Sequence, residues 1–255
     1  MAHYPAVSVF NIDNALVLGN LWDHVVRQVL IESPIKSPGY MFGRMLGSVR
    51  QSLSGQDCSI PTNMRAGLKL LSRLDAEARS YLIDYVIDRV VRDGLRPGAV
   101  DTLVQRRKAG DRIVLMSSCF DICVARFAGR LGGADIISTR TFETDAGKLT
   151  LDDDAQLCEG AEKFRRLKNL FDGDRRPPFI RAFAVDAEDY TLLSWADAGY
   201  AVNPTPKDQE RAASLGLTVV DWTFGIKDAP LHTPKLPGVS SSPDAQERQR
   251  NSANR

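Results

Sequence analysis

Hydrophobic and polar positions along the chain fall into two regimes. Ala6 to Phe10 is a short apolar run with β-branched residues, which predicts a buried strand. From Leu16 to about Val91 the spacing turns helical. Trp22, Val25, Val26, Val29 and Leu30 recur at intervals of three and four, as do Leu68, Leu71 and Leu74, and then Leu82, Tyr85 and Val86. Ser33 to Gly39 and Ser54 to Thr62, broken by Pro and Gly, read as loops between these helices. After Leu95-Arg96-Pro97-Gly98 helix and strand alternate. Pro97 opens a helix that runs through Lys108 and closes at Gly110, followed by a strand from Ile113 to Met116. A helix from Asp121 to Leu131, a strand from Asp135 to Ser138 and a hairpin within Glu143 to Thr150 come next, the hairpin turning at Ala146-Gly147. Lys163 to Leu170 is helical, Phe179 to Val185 a strand and Asp189 to Trp195 a short helix. Tyr200 to Val202 and Leu217 to Trp222 are the last strands.

Strands alternating with helices predict an α/β fold, a Rossmann-like parallel sheet covered on both faces. The expected division is a core of residues 1–17 and 92–224, a small all-helical cap over 18–91 inserted after the first strand, and a disordered tail over 225–255. The tail is rich in Pro, Ser, Gln and Arg. Ligands of such sheets sit at the carboxyl ends of the strands. Polar residues gather there: Asn11 and Asp13 after the first strand, Ser117 and Ser118 after the second, and Asp186 and Asp189 after the fourth.

Composition narrows the function classes. The chain has 255 residues, 25% charged and 43% hydrophobic, with a net charge of +1, so bulk electrostatics give no reason to expect a nucleic-acid partner. Arg106-Arg107-Lys108 reads as a solvated helix face. No apolar stretch reaches the roughly 18 residues of a membrane span, and the first residues lack a signal-peptide pattern. A soluble, cytoplasmic protein is expected, with no membrane partner. Cys58, Cys119, Cys123 and Cys158 lack metal-ligand spacing and read as reduced, buried thiols, although the helix start near Cys119 and Cys123 is a place where a thiol pKa can fall. His3, His24 and His232 lie too far apart in sequence to suggest a cluster, and Trp22 reads as cap core.

Three blocks carry a family resemblance: LRPGAVDTLVQRRKAGDRIVLMSSCFD, CEGAEKFRRL and AGYAVNPTPKDQERAASLGLTVVDW. In this order they resemble the haloacid dehalogenase (HAD) superfamily, in its phosphoserine-phosphatase-like branch, over about residues 6 to 224. The resemblance implies phosphoryl transfer to an aspartate. A first acid after the first strand attacks phosphorus and binds magnesium; a second acid protonates the leaving oxygen and activates water. A Ser or Thr and a lysine hold phosphate oxygens, and carboxylates after the fourth strand complete the metal site. Asp13 matches the second acid, Ser117 the hydroxyl, with Ser118 beside it, and Lys163 the lysine. Asn11 stands at the nucleophile position, where a carboxamide is a poor nucleophile and a neutral ligand. Ala15 stands where the family usually has Thr or Val.

The acids after the fourth strand, aligned through Asp189-Tyr190-Thr191-Leu192-Leu193, allow two registers. In one the acids are Asp189 and a position taken by Val185; in the other they are Asp186 and Asp189. In the first register a metal carboxylate is gone as well, so Asn11→Asp alone would restore little activity and Val185→Asp would be needed too, the expected pattern; in the second, Asn11→Asp alone would strongly raise it. The reading is a phosphate-binding cleft for a small phosphorylated or anionic ligand, without ordinary phosphatase turnover and with weak Mg2+ binding. The alternatives are an active Mg2+-dependent phosphomonoesterase, or different chemistry with Asp13 as general acid or base.

Overall fold

A computed structural model of the chain describes residues 6–32, 60–151, 156–171 and 176–225. The first strand, β1 (Val7–Asn11), is wholly buried and pairs in parallel with β2 (Arg112–Phe120) on one side and β6 (Ile180–Ala184) on the other. With β3 (Asp135–Thr139), β7 (Ala198–Val202) and β8 (Thr218–Val220) they form a six-stranded parallel sheet in the order β3-β2-β1-β6-β7-β8. The order reverses direction at β1, so a crevice opens at the carboxyl ends of β1, β2 and β6. A two-stranded hairpin, β4 (Phe142–Glu143) and β5 (Leu149–Thr150), stands apart and turns through Gly147, whose φ is +71°.

Alternation along β1 feeds two cores. Val7 and Val9 face one apolar cluster, packed under helices α6 (Gly160–Phe171), α7 (Tyr190–Trp195) and α8 (Pro206–Ser214). Phe10 faces the other, stacked on Phe183 with centroids 4.7 Å apart, while Phe183 stacks on Tyr200 at 4.6 Å. This second cluster continues through Phe127 of α5 (Asp121–Arg130) into α1 (Leu21–Glu32), α2 (Ile60–Leu71) and α3 (Ala76–Asp93), the helices of the insert. Insert and sheet therefore share one hydrophobic core. The two connections between them lie side by side: Val17 bridges Leu95, Leu18 N–H bonds Gly94 C=O at 2.8 Å, and Arg96 N–H bonds Leu16 C=O at 2.9 Å. Helix α4 (Pro97–Lys108) follows, with Pro97 in its first turn as expected.

Several expectations need correction. The second strand runs from Arg112 to Phe120, well past Met116, because Ser117 and Ser118 are buried and hydrogen-bonded and so do not end it. The expected loop from Ser54 to Thr62 gives way to helix α2 at Ile60, since Pro61 in a first helical turn loses no hydrogen bond. Helix α8 was not expected. Its signal was present in Thr205-Pro206-Lys207-Asp208, where the Thr205 hydroxyl caps the Asp208 N–H. The loop from Ser33 to Gly39, Cys58, His3, His232 and all of the expected tail but Gly225 lie outside the described residues.

Candidate functional site

Beyond β1 the chain winds through one wide turn, Ile12–Leu16, closed by Val17 N–H on Ile12 C=O at 3.0 Å. Asn14 takes φ +59° there, a left-handed conformation that asparagine tolerates better than branched residues. Its carbonyl accepts from Arg96 Nε at 3.0 Å, which ties the turn to the connection returning from the insert. The turn delivers Asp13 into the crevice.

Asp13 is nearly fully buried and well supplied with donors. Its Oδ1 accepts from the Leu21 N–H at 2.9 Å, and its Oδ2 from the Ser117 hydroxyl at 2.6 Å. Ser118 adds longer contacts to Oδ2, 3.3 Å from its N–H and 3.4 Å from its hydroxyl. The Ser117 oxygen in turn accepts from the Cys119 N–H at 2.9 Å, so both of its hydrogen-bonding roles are taken. Thr139, which the sequence did not single out, braces this strand end: its hydroxyl donates to Ser118 C=O at 2.7 Å and accepts from Cys158 N–H at 3.0 Å.

Asn11 lies at the end of β1, level with Met116, and is completely buried. Its Nδ2 donates to Asp189 Oδ2 at 2.6 Å, while its Oδ1 is buried with no hydrogen-bond partner among the described residues. Lys163 Nζ approaches the same Asp189 oxygen from 3.8 Å. Helix α6 begins at Gly160, so Lys163 lies in its first turn, where the helix dipole opposes a cation and nearby carboxylates must hold it. Burial pulls the Lys163 pKa down, but Asp189, Asp13 and Asp186 together outweigh it, and the ammonium ends above its ordinary value.

The two registers after β6 differ in where their side chains go. Val185 packs against the apolar cluster that holds Phe183 and Tyr200. Asp186 is half-buried among charges, and its pKa rises from 3.8 to about 6, first through burial and then through Asp189, with Lys163 opposing. Burial also raises Asp189, against the pull of Lys163 and the Asn11 hydrogen bond. Glu159 adds to the negative field: burial raises its carboxyl, and Oε1 has no hydrogen-bond partner among the described residues. One lysine thus faces Asp13, Asp186 and Asp189, with Glu159 and Glu188 close by. No group of three or more His, Cys, Asp or Glu side chains among the described residues is arranged to hold a metal ion.

The remaining sequence candidates lie elsewhere. Cys119, Cys123 and Cys158 are free and buried; burial pushes the Cys119 thiol well up and Cys158 to about 11, the reverse of an activated thiol. The His24 ring bonds Leu18 C=O at 3.0 Å, and Trp22 packs edge-on against Phe120 with centroids 4.6 Å apart. No described helix is long and apolar enough to cross a membrane.

This geometry is that of a known family, whose model, described as haloacid dehalogenase-like hydrolase, matches residues 9–183. The chain belongs to the haloacid dehalogenase-like hydrolase family. Among curated relatives, Protein CicA of Caulobacter vibrioides is 26% identical over 217 residues, covering 79% of this chain and 88% of that protein. A Bordetella pertussis Tohama I protein of unknown function superposes with a TM-score of 0.72 at 19% identity, over 86% of this chain and 99% of that one. A phospho-aspartyl intermediate analogue of phosphoserine phosphatase superposes at 0.57 with 18% identity, over 89% and 97%. The phosphoserine-phosphatase-like HAD fold expected from the three blocks is therefore the fold of this chain.

Proposed function

We propose that this HAD-like chain binds a small phosphorylated or otherwise anionic ligand in the cleft formed by Asp13, Ser117, Ser118 and Lys163, and does not turn it over through a phosphoenzyme. The observation that carries the reading is Asn11: fully buried, with its carboxamide nitrogen committed to Asp189 at 2.6 Å. An amide oxygen carries no full negative charge and attacks phosphorus poorly. Loss of a covalent nucleophile commonly removes several powers of ten in rate. The neighbouring groups support binding. Ser118 holds Asp13 only through long contacts, so its hydroxyl can rotate to an incoming oxygen at small cost, and its N–H is only weakly engaged. Lys163, 3.8 Å from Asp189, keeps donors free for the same oxygens.

HAD hydrolases generally use Mg2+, and this donor set suits a hard cation in part. Asn11 Oδ1 is a buried oxygen without a hydrogen-bond partner among the described residues, and Asp186 is a carboxylate raised to about 6 by its surroundings. These two would hold the ion, which supplies positive charge at the phosphate oxygens when bound. Only one of the two ligands is anionic, so affinity should be weak.

Turnover of an aryl phosphate tests the reading. Wild type should be inert, while calorimetry should show inorganic phosphate bound and Lys163→Ala should abolish that binding. With Val185 packed in the core and Asp186 turned to the charges, Asn11→Asp alone should raise turnover, without Val185→Asp. Robust wild-type turnover lost in Asp13→Asn would overturn the reading and make the protein an active HAD hydrolase or an acid–base enzyme built on Asp13.

A further inference from the structure

A second feature lies on the far side of helix α6, outside the cleft. Between α6 and the outer edge of β3, the last strand of its side of the sheet, is a cavity of about 630 Å3. That size suits a small organic ligand. Three guanidinium groups line it: Arg140 just after β3, and Arg165 and Arg166 on α6. Arg166 is fixed in place by Glu162 at 2.6 Å and by two carbonyls, Ser138 C=O at 2.6 Å and Gln156 C=O at 2.7 Å. Arg165 forks onto the same Glu162 with both bonds at 2.7 Å. One carboxylate thus serves two guanidiniums. The acid of the wall itself, Asp121, has its Oδ1 taken up by Ile122 N–H and by the N–H and hydroxyl of Thr141. Exposed Arg140 has no ion-pair partner among the described residues. Three positive charges against two negative ones leave an uncompensated cation at a concave surface, where low-dielectric walls strengthen its field.

The rest of the lining fits the body of a ligand. Ser138, nearly buried, is part of the wall, and its hydroxyl makes no hydrogen bond among the described residues. Ile136 and Leu170 supply apolar surface beside it. We infer that this cavity is a second anion site, which takes an organic phosphate by its head group on Arg140 and Ser138 and lays its apolar body against Ile136 and Leu170. The site shares its walls with the cleft. Lys163 and Arg166 are three residues apart on α6, and Ser138 precedes Thr139, the residue that holds the Ser118 carbonyl. An occupant therefore pulls on the same helix turn and strand end that position the first site.

Adenosine 5′-monophosphate is the probe, titrated into the isotopically labelled full chain and followed by amide chemical shifts. The amides of Ser138, Arg140 and Asn169 should saturate together. Arg140→Ala, a change at an exposed residue, should weaken that midpoint by about tenfold or more, the worth of one charge-assisted bond. Ser138→Ala should weaken it less, and inorganic phosphate should bind there more weakly than the nucleotide. Because the two sites share walls, the titration is repeated in Lys163→Ala, which removes binding in the first cleft; the shifts at Ser138 and Arg140 should persist there, so either site can fail without the other. No saturable shift at Ser138 and Arg140, an unchanged midpoint in Arg140→Ala, or phosphate binding as tightly as the nucleotide would overturn the proposal.

Discussion

Asn11 and Asp189 share a contact that two carboxylates could not share without a proton or a cation between them. At 2.6 Å the amide donates to a buried acid. Asn11→Asp should therefore cost ~1–3 kcal/mol of stability in chelator, because a favourable bond becomes a like-charge pair. Mg2+ should raise the variant's melting temperature by more than it raises that of wild type. Equal shifts in the two proteins would mean that the ion is not held at Asn11. Asp186 carries a second expectation. Its folded pKa of about 6 lies above its ordinary 3.8, so its contribution to stability is complete below about pH 3.8 and is lost as pH rises through about 6. In chelator, Asp186→Asn should then be more stable than wild type at pH 7.5, with the advantage gone at pH 3.5. Thermal melts across pH decide it, and a constant offset would show that Asp186 is not perturbed.

At the scale of elements, the turn after β1 depends on a residue that accepts a positive φ. Asn14 at +59° is such a residue, and Asn14→Val should lose ~1–3 kcal/mol while Asn14→Gly loses far less. Chemical denaturation of the pair measures the difference. Strand β7 against α7 is limited by space rather than by torsion: a Cβ on Gly199 would run into the Leu193 carbonyl. Both elements showed in the sequence as apolar runs, but the contact between them did not. Likewise, helix α8 went unread because its apolar face is a single buried residue, Ala212, too little for periodicity to register, although its Thr-Pro cap was visible.

At the scale of the molecule, the insert is fastened to the rest of the fold by more than its two connections. Buried Arg79 on α3 reaches Glu143 at 2.8 Å and Gly147 C=O at 3.1 Å across the hairpin, and Ser72 Oγ accepts from Leu149 N–H at 2.9 Å. Arg130 on α5 bridges Asp84 at 3.0 Å and Asp88 at 2.7 Å on α3. The exposed pairs contribute little, whereas Arg79 is almost fully buried and its loss leaves a carbonyl unpaired. Arg79→Ala should speed amide exchange at Leu149 and lower the melting temperature, while Arg130→Ala should leave both nearly unchanged. Because the insert and one sheet face share a hydrophobic cluster, heating should also give one transition for both.

What the sequence determined by itself was local and periodic. Alternation of apolar runs set the strands, three-and-four spacing set the helices, and the blocks around Ser117 and Lys163 pointed to the crevice, because each of these is written within a few neighbouring residues. What only the tertiary structure decided was between residues far apart in the chain. Which of Val185 and Asp186 turns toward Lys163 depends on where β6 ends and what packs on it, and two adjacent residues point to opposite sides of a strand end. The bond from Asn11 to Asp189 spans 178 positions, and the bracing of Ser118 by Thr139 spans 21. The arginine-lined cavity exists only because α6 lies along the open edge of β3. Burial sets the charge state of such groups, and burial belongs to the folded molecule rather than to any stretch of its sequence.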